Sequence, residues 1–262
     1  MSERAGGTEP LDWKAFLADF HKTRAGVTEA VLSRARAGDH SPYRWLGRAV
    51  SEDARTIVDL ASGSGPMSRV LAQPDRTVVG VDLSAEELAL AAERGPGPWV
   101  QGDALRLPFH DGSVDVVTSS MGLVVVRPLE QLLAEVTRVL RPGGVLAAIA
   151  PTVRPLGFRD LQTLGQINRR LRASPRFPGP VEIAGFHRTL GAVGLTRVED
   201  LRERYHFTVR SREDAQLVLS ALYLPDTRPS RVVAAAEYLE DRLRDAGSVD
   251  VAIPMRRVVA IK

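Results

Sequence analysis

Apolar residues recur along the chain with two different spacings, and the spacing predicts which segments are strands and which are helices. From residue 55 to residue 151, short apolar runs of strand length are separated by stretches with helical spacing. The predicted strands are 55–60, 76–83, the first residues of 99–109, 113–120 and 145–151. Strands that alternate with helices predict a parallel sheet whose two faces are both covered by helices.

The segments on either side of this core are less regular. Apolar residues between 11 and 37 predict two helical segments with a break near Gly26, and another helix is expected near 45–50. Residues 153–181 are predicted to be irregular; helices are expected at 181–194, 212–223 and 229–245, and strands at 195–209 and 249–262. We therefore divide the chain into an N-terminal helical cap (1–50), a core (51–152), and a lid segment with the C-terminal half of the same α/β domain (153–262). Residues 1–10 are expected to form a loose tail.

Each of the first two predicted strands ends close to an aspartate. Asp59 is followed by a turn that contains Gly63 and Gly65, and Asp82 lies 23 residues after Asp59. Glycines in such a turn let the backbone approach a ligand closely. A carboxylate at the position of Asp82 can accept hydrogen bonds from both hydroxyls of a ribose. These residues alone predict a nucleotide-like cofactor and leave a dinucleotide and a methyl donor both open.

Two later segments narrow the choice. The runs QGDALRLPFHDGSVDVVTSS and LEQLLAEVTRVLRPGGVLAAIAP follow the turn in an order that resembles class I S-adenosylmethionine-dependent methyltransferases, in particular the UbiE-like small-molecule branch. The resemblance covers about residues 55–152. It implies a Rossmann-like, seven-stranded, mostly parallel sheet with helices on both faces and a helical N-terminal cap or lid. It also implies that S-adenosyl-L-methionine is the cofactor.

The same resemblance assigns the glycine turn to the methionine part of the cofactor. Ala61, Gly63 and Gly65 would line this part, with backbone groups meeting its amino and carboxylate ends. The first turn of the family reads Gly-x-Gly-x-Gly, and Ala61 stands at the first glycine. We expect a negative φ at Ala61, because the extra methyl group is tolerated there only in that conformation.

The remaining cofactor positions follow from the resemblance in the same way. Asp82 would hold the ribose hydroxyls, and Leu83 would pack near the adenine. Asp103 would accept a hydrogen bond from the adenine amino group, and the backbone of Ala104 would donate to the ring. Ser119 would present its backbone near the methionine part.

Three of these acidic residues also have a structural interpretation. Asp59 either contacts the cofactor or ties down backbone amides of the turn that follows it. Asp82 would be a helix cap in the second interpretation, although Ser84 already fits that position. Asp103 would be an ordinary loop residue.

Catalysis of methyl transfer requires alignment of the acceptor and, for a hydroxyl or an ammonium group, a base within hydrogen-bond reach. The candidates for that base, all outside the core, are His21, Tyr43, His187 and His206, of which His21 and Tyr43 are favoured. Arg24 is a candidate partner of the methionine carboxylate. Met121, Leu123 and Val124 follow the fourth strand and predict an apolar wall of the substrate pocket, which favours an apolar acceptor.

Composition and charge exclude some chemistry. The chain has no cysteine, so thiolate metal sites, cysteine nucleophiles and the covalent route to pyrimidine C5 methylation are absent, and no metal site is predicted. The arginines of 153–181 are interpreted as a solvated lid face and not as a nucleic-acid site, because the net charge is only +3. No apolar run has the length of a membrane span and the N-terminus does not resemble a signal peptide, so a cytoplasmic protein without a membrane partner is expected.

The sequence therefore predicts an enzyme that transfers a methyl group from S-adenosylmethionine to O, N or C of a small, apolar metabolite. The cap and residues 153–181 would select the substrate. Two alternatives stay open: methylation of RNA, and a protein of this fold that binds the cofactor without methyl transfer, as a cyclase or a binding module. The sequence does not indicate the acceptor, the atom methylated or the oligomeric state.

Overall fold

A computed structural model describes residues 11–182 and 186–262. The strands are β1 (Thr56–Leu60), β2 (Thr77–Asp82), β3 (Trp99–Gln101), β4 (Val114–Ser120), β5 (Leu140–Pro151), β6 (Thr196–Val209) and β7 (Val249–Ile261). The helices of the first half are α1 (Trp13–Thr23), α2 (Val27–Leu32), α3 (Pro42–Gly47), α4 (Pro66–Leu71), α5 (Ala85–Arg94), α6 (Gly122–Val125) and α7 (Leu129–Val139). Those of the second half are α8 (Phe158–Leu171), α9 (Phe186–Ala192), α10 (Arg212–Ser220) and α11 (Pro229–Ala246).

The strands form one sheet in the order β3-β2-β1-β4-β5-β7-β6. The strands from β3 to β5 are parallel to their neighbours, whereas β7 is antiparallel to both β5 and β6. The prediction of a seven-stranded, mostly parallel sheet of the Rossmann-like kind is confirmed.

The central strands are buried on both faces of the sheet. In β1, Val58 and Leu60 belong to one apolar cluster and Ile57 to another, and none of the three side chains is exposed to solvent. This is why the central strands are continuous apolar runs and do not alternate with polar residues. Because β1, β2 and β4 are parallel, their carboxyl ends meet at one edge of the sheet, which is where a ligand binds in folds of this type.

The N-terminal helices are separated at Gly26, as the sequence predicts. Gly26 has a φ of +75°, and a Cβ atom there would lie 2.5 Å from a side-chain carbon of Leu90. A larger residue is therefore strained by the conformation and would require the Leu90 side chain of α5 to shift. Asp12 caps α1, since its carboxylate accepts a hydrogen bond from the Ala15 amide at 3.1 Å.

The prediction that residues 153–181 are irregular is wrong, because α8 occupies half of that segment. Ile167 and Leu171 of α8 are buried together with Leu239 of α11 and Val251 of β7. Arginines stand between these apolar residues in the sequence, so the helical spacing of the apolar residues is hard to recognise. The segment thus packs mainly against the C-terminal half of the protein.

Two consecutive arginines of β7 are buried on opposite faces of the sheet. Arg256 forms two hydrogen bonds with Asp200, each 2.7 Å long, and Arg257 forms two with Glu199, at 2.6 and 2.9 Å. Arg257 also donates to the backbone carbonyl of Trp45 in α3. The two ion pairs join β7 to β6, and the Trp45 contact joins β7 to the N-terminal helices.

The longest helix, α11, buries one of its sides in the protein. Ala235, Ala236 and Leu239 are buried, whereas the helix carries several arginines and acidic residues elsewhere. Within residues 11–182 and 186–262, no helix combines the length and the apolar character needed to cross a membrane.

Candidate active site

A cavity of about 850 Å³ opens at the carboxyl ends of β1, β2 and β4. Its volume falls in the range of pockets for small molecules, about 300–1,000 Å³. The floor is formed by the turn after β1 and by residues that follow β2, β3 and β4. Helix α1 supplies part of the opposite wall, so the cavity lies between the sheet edge and the N-terminal helices.

Asp82 connects two parts of the cavity floor. Its carboxylate accepts hydrogen bonds from the Gly63 amide at 2.8 Å and from the Ser84 amide at 2.9 Å. Burial raises the pKa of the Asp82 carboxyl above its ordinary value, against the effect of these two amides. Ser84 is the cap of α5, because its hydroxyl accepts from the Glu87 amide at 3.2 Å. The ribose role of Asp82 therefore stays a prediction, whereas the role of α5 cap is taken by Ser84.

Asp59 is held by the structure around it. Its buried carboxylate accepts hydrogen bonds from the Ser68 amide at 3.1 Å, the Ser68 hydroxyl at 2.8 Å and the Thr118 hydroxyl at 3.2 Å. Burial raises its pKa to about 7, although these hydrogen bonds act in the opposite direction. Asp59 also borders the cavity. The hydrogen bonds match the structural interpretation, in which Asp59 fixes the start of α4.

The expectation of a negative φ at Ala61 is wrong. Ala61 has a φ of +54°, and Met121, the residue before α6, has a φ of +73°. Both residues line the cavity. A left-handed conformation costs a residue with a Cβ about 1–2 kcal/mol, so the cavity floor carries backbone strain at two places. Such strain is often concentrated at functional sites.

Gly65 and Ser119 are not part of the cavity wall. Gly65 has a φ of +78°, and a Cβ atom there would lie 2.4 Å from the indole of Trp99. Ser119 donates its hydroxyl to the Leu60 carbonyl at 3.0 Å and lies against Gly122. The structure thus gives both predicted cofactor residues a supporting position, and Ser120 lines the cavity in place of Ser119.

Leu83, Asp103 and Ala104 all line the cavity where an adenine is predicted. Leu83 is 63% exposed, which leaves its side chain available for a planar ligand. One carboxylate oxygen of Asp103 accepts a hydrogen bond from the Leu105 amide at 2.9 Å. That bond fixes the loop after β3 and belongs to the structural interpretation of Asp103; the adenine contacts stay predictions.

The N-terminal helices are fastened to the glycine turn by Glu29 of α2. Its carboxylate accepts hydrogen bonds of 2.6 Å each from the Ser64 hydroxyl, from Arg69 of α4 and from Arg94 of α5. Burial acts to raise the pKa of Glu29, but the hydrogen bonds and the arginine charges outweigh it and hold the pKa below its ordinary value. We call this group the Glu29 clamp.

His21, a candidate base, bridges two other side chains of the cavity wall. Its Nδ1 lies 2.9 Å from Oε1 of Glu87, and its Nε2 lies 3.0 Å from the hydroxyl of Tyr223. The second oxygen of Glu87 accepts from the Gly26 amide at 3.0 Å. Both ring nitrogens of His21 are thus engaged, and His21 reaches a ligand only through one of its partners.

Tyr43, the other candidate base, is fully buried on the cavity wall. Burial raises the pKa of its phenol far above the ordinary value, and the charges of Glu29, Asp59 and Glu87 add to this effect. A phenol that keeps its proton is a poor base when it acts alone, so the structure opposes this role for Tyr43.

Arg24, His187 and His206 lie away from the cavity wall. The guanidinium of Arg24 donates to the Ser220 carbonyl at 3.2 Å and lies over the ring of Phe20. The Nε2 atom of His206 is within hydrogen-bond distance, 3.1 Å, of Oδ1 of Asp160, and His187 is exposed on α9. The predicted pairing of Arg24 with the cofactor carboxylate is therefore not supported by its position.

Of the predicted substrate-pocket residues, only Met121 lines the cavity. Leu123 and Val124 are buried in the protein interior, because the single turn of α6 directs them away from the cavity. The next residues form the wall instead. We define the acceptor wall as the apolar and aromatic surface formed by Leu17, Val125, Val126, Pro178 and Tyr223.

The acceptor wall is continuous although its residues are far apart in the sequence. Phe177 packs against the ring of Tyr223 with 5.5 Å between centroids, and the Gly179 amide donates to the Val124 carbonyl at 3.0 Å. Pro178, between these contacts, is the one residue of 153–181 on the wall. Of residues 153–181, which were predicted to help select the substrate, one residue therefore lies on the acceptor wall.

Sequence reasoning did not identify Tyr223 or Glu87. In the sequence, Glu87 is an acidic residue in the first turn of a helix, and the helix dipole alone accounts for such a residue. Tyr223 carries no signal, since 202 residues separate it from His21.

The floor of the cavity suits S-adenosylmethionine. A carboxylate at the end of β2, an open glycine turn with positive φ at Gly63, and an exposed Leu83 match the ribose, methionine and adenine parts. The Ser62 hydroxyl is a further candidate, because it is buried on the wall without a hydrogen-bond partner among the residues that the structure describes.

Comparison with known proteins gives a consistent result. Residues 58–148 match the family model of the methyltransferase domain. The chain is 34% identical over 236 residues to the demethylmenaquinone methyltransferase of Parafrankia sp., covering 74% of this chain and 91% of that protein. It is 40% identical over 103 residues to the ubiquinone/menaquinone biosynthesis C-methyltransferase UbiE of Rubrivivax gelatinosus, where the match spans 38% of this chain and 41% of that protein.

Solved structures with low sequence identity share the fold. The [4+2]-cyclase SpnF has a TM-score of 0.60 at 18% identity and is covered to 99%, as is this chain. A putative sarcosine dimethylglycine methyltransferase from Galdieria sulphuraria has a TM-score of 0.56 at 15% identity, with 93% of this chain and 98% of that chain covered. These likenesses concern the fold alone.

Proposed function

The chain belongs to the UbiE-like branch of the class I S-adenosylmethionine-dependent methyltransferases, and we propose that its acceptor is the ring carbon of a reduced quinone. As a member of this family it is an enzyme that transfers a methyl group from S-adenosylmethionine to a small, apolar metabolite. The finer assignment concerns the acceptor, and it draws on the acceptor wall.

The acceptor wall supports this proposal. Leu17, Val125, Val126 and Pro178 offer an apolar surface for a flat ring, and Tyr223 places one hydroxyl on the same surface. A hydroquinone has this combination of an apolar ring and a polar hydroxyl. The Parafrankia relative is named for demethylmenaquinone, an acceptor of this class.

The residues of the site have separate tasks in the proposed reaction. Asp82 holds the ribose, and the strained turn at Ala61 shapes the methionine end of the cavity. Helix α1 and the Glu29 clamp cover the floor and keep water from the reacting atoms. When bound, S-adenosylmethionine supplies the methyl group and retains the electron pair of the broken S–C bond on sulfur. Alignment of acceptor and donor can account for about 7 kcal/mol or more of the lowered barrier.

A transfer assay tests the proposal. The protein is incubated with S-adenosylmethionine labelled in the methyl group and, in separate reactions, with 1,4-naphthoquinol, a 1,4-naphthoquinol already methylated at its ring carbons, an aliphatic amine and a carboxylic acid. We expect label and S-adenosylhomocysteine to form with the first acceptor alone, and mass spectrometry to place the methyl group on carbon. Transfer to oxygen would contradict the ring carbon as the methylated atom, and transfer to the amine or acid would contradict a quinol acceptor. Binding without any transfer would favour a cyclase or binding role.

We also propose that the protein acts in the cytoplasm on a free small molecule, without a nucleic-acid partner. The modest net charge of +3 and the pairing of many arginines with acidic side chains support this. Filter retention of a labelled RNA at increasing salt tests it. Retention that falls steeply with salt would indicate phosphate contacts and would contradict the proposal.

A further inference from the structure

Three side chains from distant parts of the chain form one hydrogen-bonded line in the cavity wall. Glu87 of α5, His21 of α1 and Tyr223, which follows α10, are joined by contacts of 2.9 and 3.0 Å. Glu87 is buried, and all three residues line the cavity. The line therefore runs from the protein interior to the acceptor wall.

The ring nitrogens of His21 donate or accept according to the tautomer, and one assignment of the protons fits a neutral imidazole between these two partners. An ionised carboxylate only accepts, so Nδ1 of His21 carries the proton that is shared with Glu87. The Nε2 atom of a neutral imidazole is then an acceptor, and the Tyr223 hydroxyl donates to it. Burial, with the charges of Glu87 and Asp82, raises the pKa of the Tyr223 phenol, which keeps the phenol protonated near neutral pH.

The Tyr223 hydroxyl is held in one place by its ring. Phe20 packs edge-on against the ring with 4.6 Å between centroids, and Phe16 and Phe177 add contacts at 6.0 and 5.5 Å. Its oxygen uses its proton toward His21 and retains lone pairs that can accept a hydrogen bond from a ligand. Of the three side chains, Tyr223 is the one that belongs to the acceptor wall.

We propose that Tyr223, His21 and Glu87 form a proton relay in which Tyr223 touches the acceptor hydroxyl and His21 receives the proton. This rests on the proposed function, since it presumes a hydroxyl-bearing acceptor. Tyr223 is the catalytic residue of the relay, because it meets the acceptor. His21 stores the proton, and Glu87 orients the ring and stabilises the imidazolium.

The proton and electron balance is as follows. The acceptor hydroxyl gives its proton to the Tyr223 oxygen, and the Tyr223 proton passes to Nε2 of His21. The electron pair left on the acceptor oxygen is delocalised into the ring, and the ring carbon forms the new bond to the methyl carbon. The ring carbon then loses its own proton to water, while the oxygen recovers one from His21 through Tyr223. One proton is released for each methyl group transferred.

The variant Tyr223→Phe tests the relay because it removes only the hydroxyl and keeps the aromatic packing. Assayed with 1,4-naphthoquinol, it should have a kcat lowered about 100-fold at neutral pH, in the range of a lost general base. The loss should shrink as the pH rises and the acceptor ionises without help. Tyr238→Phe, on α11 outside this cavity, is the matched control and should leave kcat unchanged.

Two measurements separate catalysis from structure. Calorimetry should give a Kd for S-adenosylmethionine within about twofold of wild type for Tyr223→Phe. The ¹⁵N NMR shifts of His21, read without cofactor, should show the Nδ1–H tautomer in wild type and a change at Nε2 in the variant.

His21→Gln should lower kcat as well, and the double variant should be no slower than the slower single variant, because the residues act as one unit.

A Tyr223→Phe protein with kcat within threefold of wild type, or with a loss that is independent of pH, would overturn the relay and leave the proposed function intact. A wild-type protein that binds the cofactor but methylates no quinol would overturn the proposed acceptor. An Nε2–H tautomer of His21 in wild type would overturn the relay irrespective of activity.

Discussion

The carboxylate of Asp82 accepts a hydrogen bond from the backbone amide of Gly63 at 2.8 Å. The acidic residue at the end of β2 and the turn after β1 are thus one structural unit. A residue predicted to bind the ribose also fixes the turn predicted to bind the methionine part. Removing the carboxylate therefore affects both parts of the cofactor site.

We predict that Asp82→Ala weakens the binding of S-adenosylmethionine by about 10-fold to 100-fold. Loss of hydrogen bonds to a charged group costs about 1.5–3 kcal/mol, and about 1.4 kcal/mol corresponds to a factor of ten in Kd. Isothermal calorimetry gives the Kd directly. Asp75→Ala, at an exposed position in the turn before β2, is the control and should bind like wild type. Unchanged affinity of Asp82→Ala would remove the cofactor role from this residue.

We predict that Ala61→Gly stabilises the protein by about 0.5–1 kcal/mol. The positive φ of Ala61 costs about 1–2 kcal/mol, and glycine removes this strain. Glycine also gives the unfolded chain more freedom, which lowers stability by about 0.4–1 kcal/mol and leaves a smaller net gain. Urea denaturation measures the free energy of unfolding. Ala72→Gly, at a residue with a φ of −58°, should be destabilising. A loss of stability in Ala61→Gly would show that the methyl group matters more than the strain.

We predict that Asp59→Asn alters how stability depends on pH. The pKa of Asp59 is raised to about 7 in the folded protein, whereas the unfolded value is about 3.9. Between these values the folded state binds more protons, so wild type loses stability relative to the variant as the pH rises from about 4 to about 7. Each pKa unit corresponds to about 1.4 kcal/mol, which makes the difference over the whole window on the order of 4 kcal/mol. Urea denaturation of both proteins from pH 5 to pH 8 covers most of this window.

Asp115→Asn is the control for that experiment. Burial acts to raise the pKa of Asp115, but amides of Arg55 and Thr56 and the Arg141 guanidinium outweigh it, so its pKa lies below the ordinary value. Its contribution to stability is present above the unfolded pKa of about 3.9 and is lost only at lower pH. The stability difference between wild type and Asp115→Asn should thus be constant from pH 5 to pH 8. A constant difference for Asp59→Asn as well would refute the raised pKa.

We predict that Arg257→Ala destabilises the fold by about 3 kcal/mol, because it leaves Glu199 without its partner and the Trp45 carbonyl without a donor. The double variant Arg257→Met with Glu199→Leu should recover the part of the loss that comes from the unpaired Glu199 carboxylate, whereas the Trp45 carbonyl still lacks its donor. Thermal and urea unfolding measure both. Arg244→Ala, which breaks an exposed pair with Asp241, should change stability by less than about 0.5 kcal/mol.

The cofactor half of the site could be predicted because its signals are local. The glycine turn directly follows the buried strand β1, and Asp82 is the last residue of β2, so the strand pattern also locates them at the sheet edge. The sign of φ at Ala61 could not be predicted in the same way. It depends on how β1, α4 and α6 meet, and the residue type argued for the opposite sign.

The acceptor half was largely missed, for a physical reason. Tyr223 and Val125 are brought to His21 by tertiary packing, and no spacing in the sequence encodes that approach. Leu123 and Val124 were plausible by composition, but a single helical turn decides which apolar residues face a cavity and which face the core. The residues that line the cavity, Val125 and Val126, lie two positions further along the chain than the predicted Leu123 and Val124.

The place of β7 in the sheet has a consequence for local unfolding. This strand follows β6 in the sequence but lies between β5 and β6, and Val145 of β5 pairs with Ile261 across more than a hundred residues. Helix α10, which precedes Tyr223, packs into the cluster that includes Val249 and Val251 of β7. A partial opening at the Val249–Val251 end of β7 would therefore displace Tyr223 and leave the strands of the cofactor floor in register. Under mild denaturation, hydrogen exchange of the backbone amides should show that the acceptor side of the cavity opens before the cofactor side.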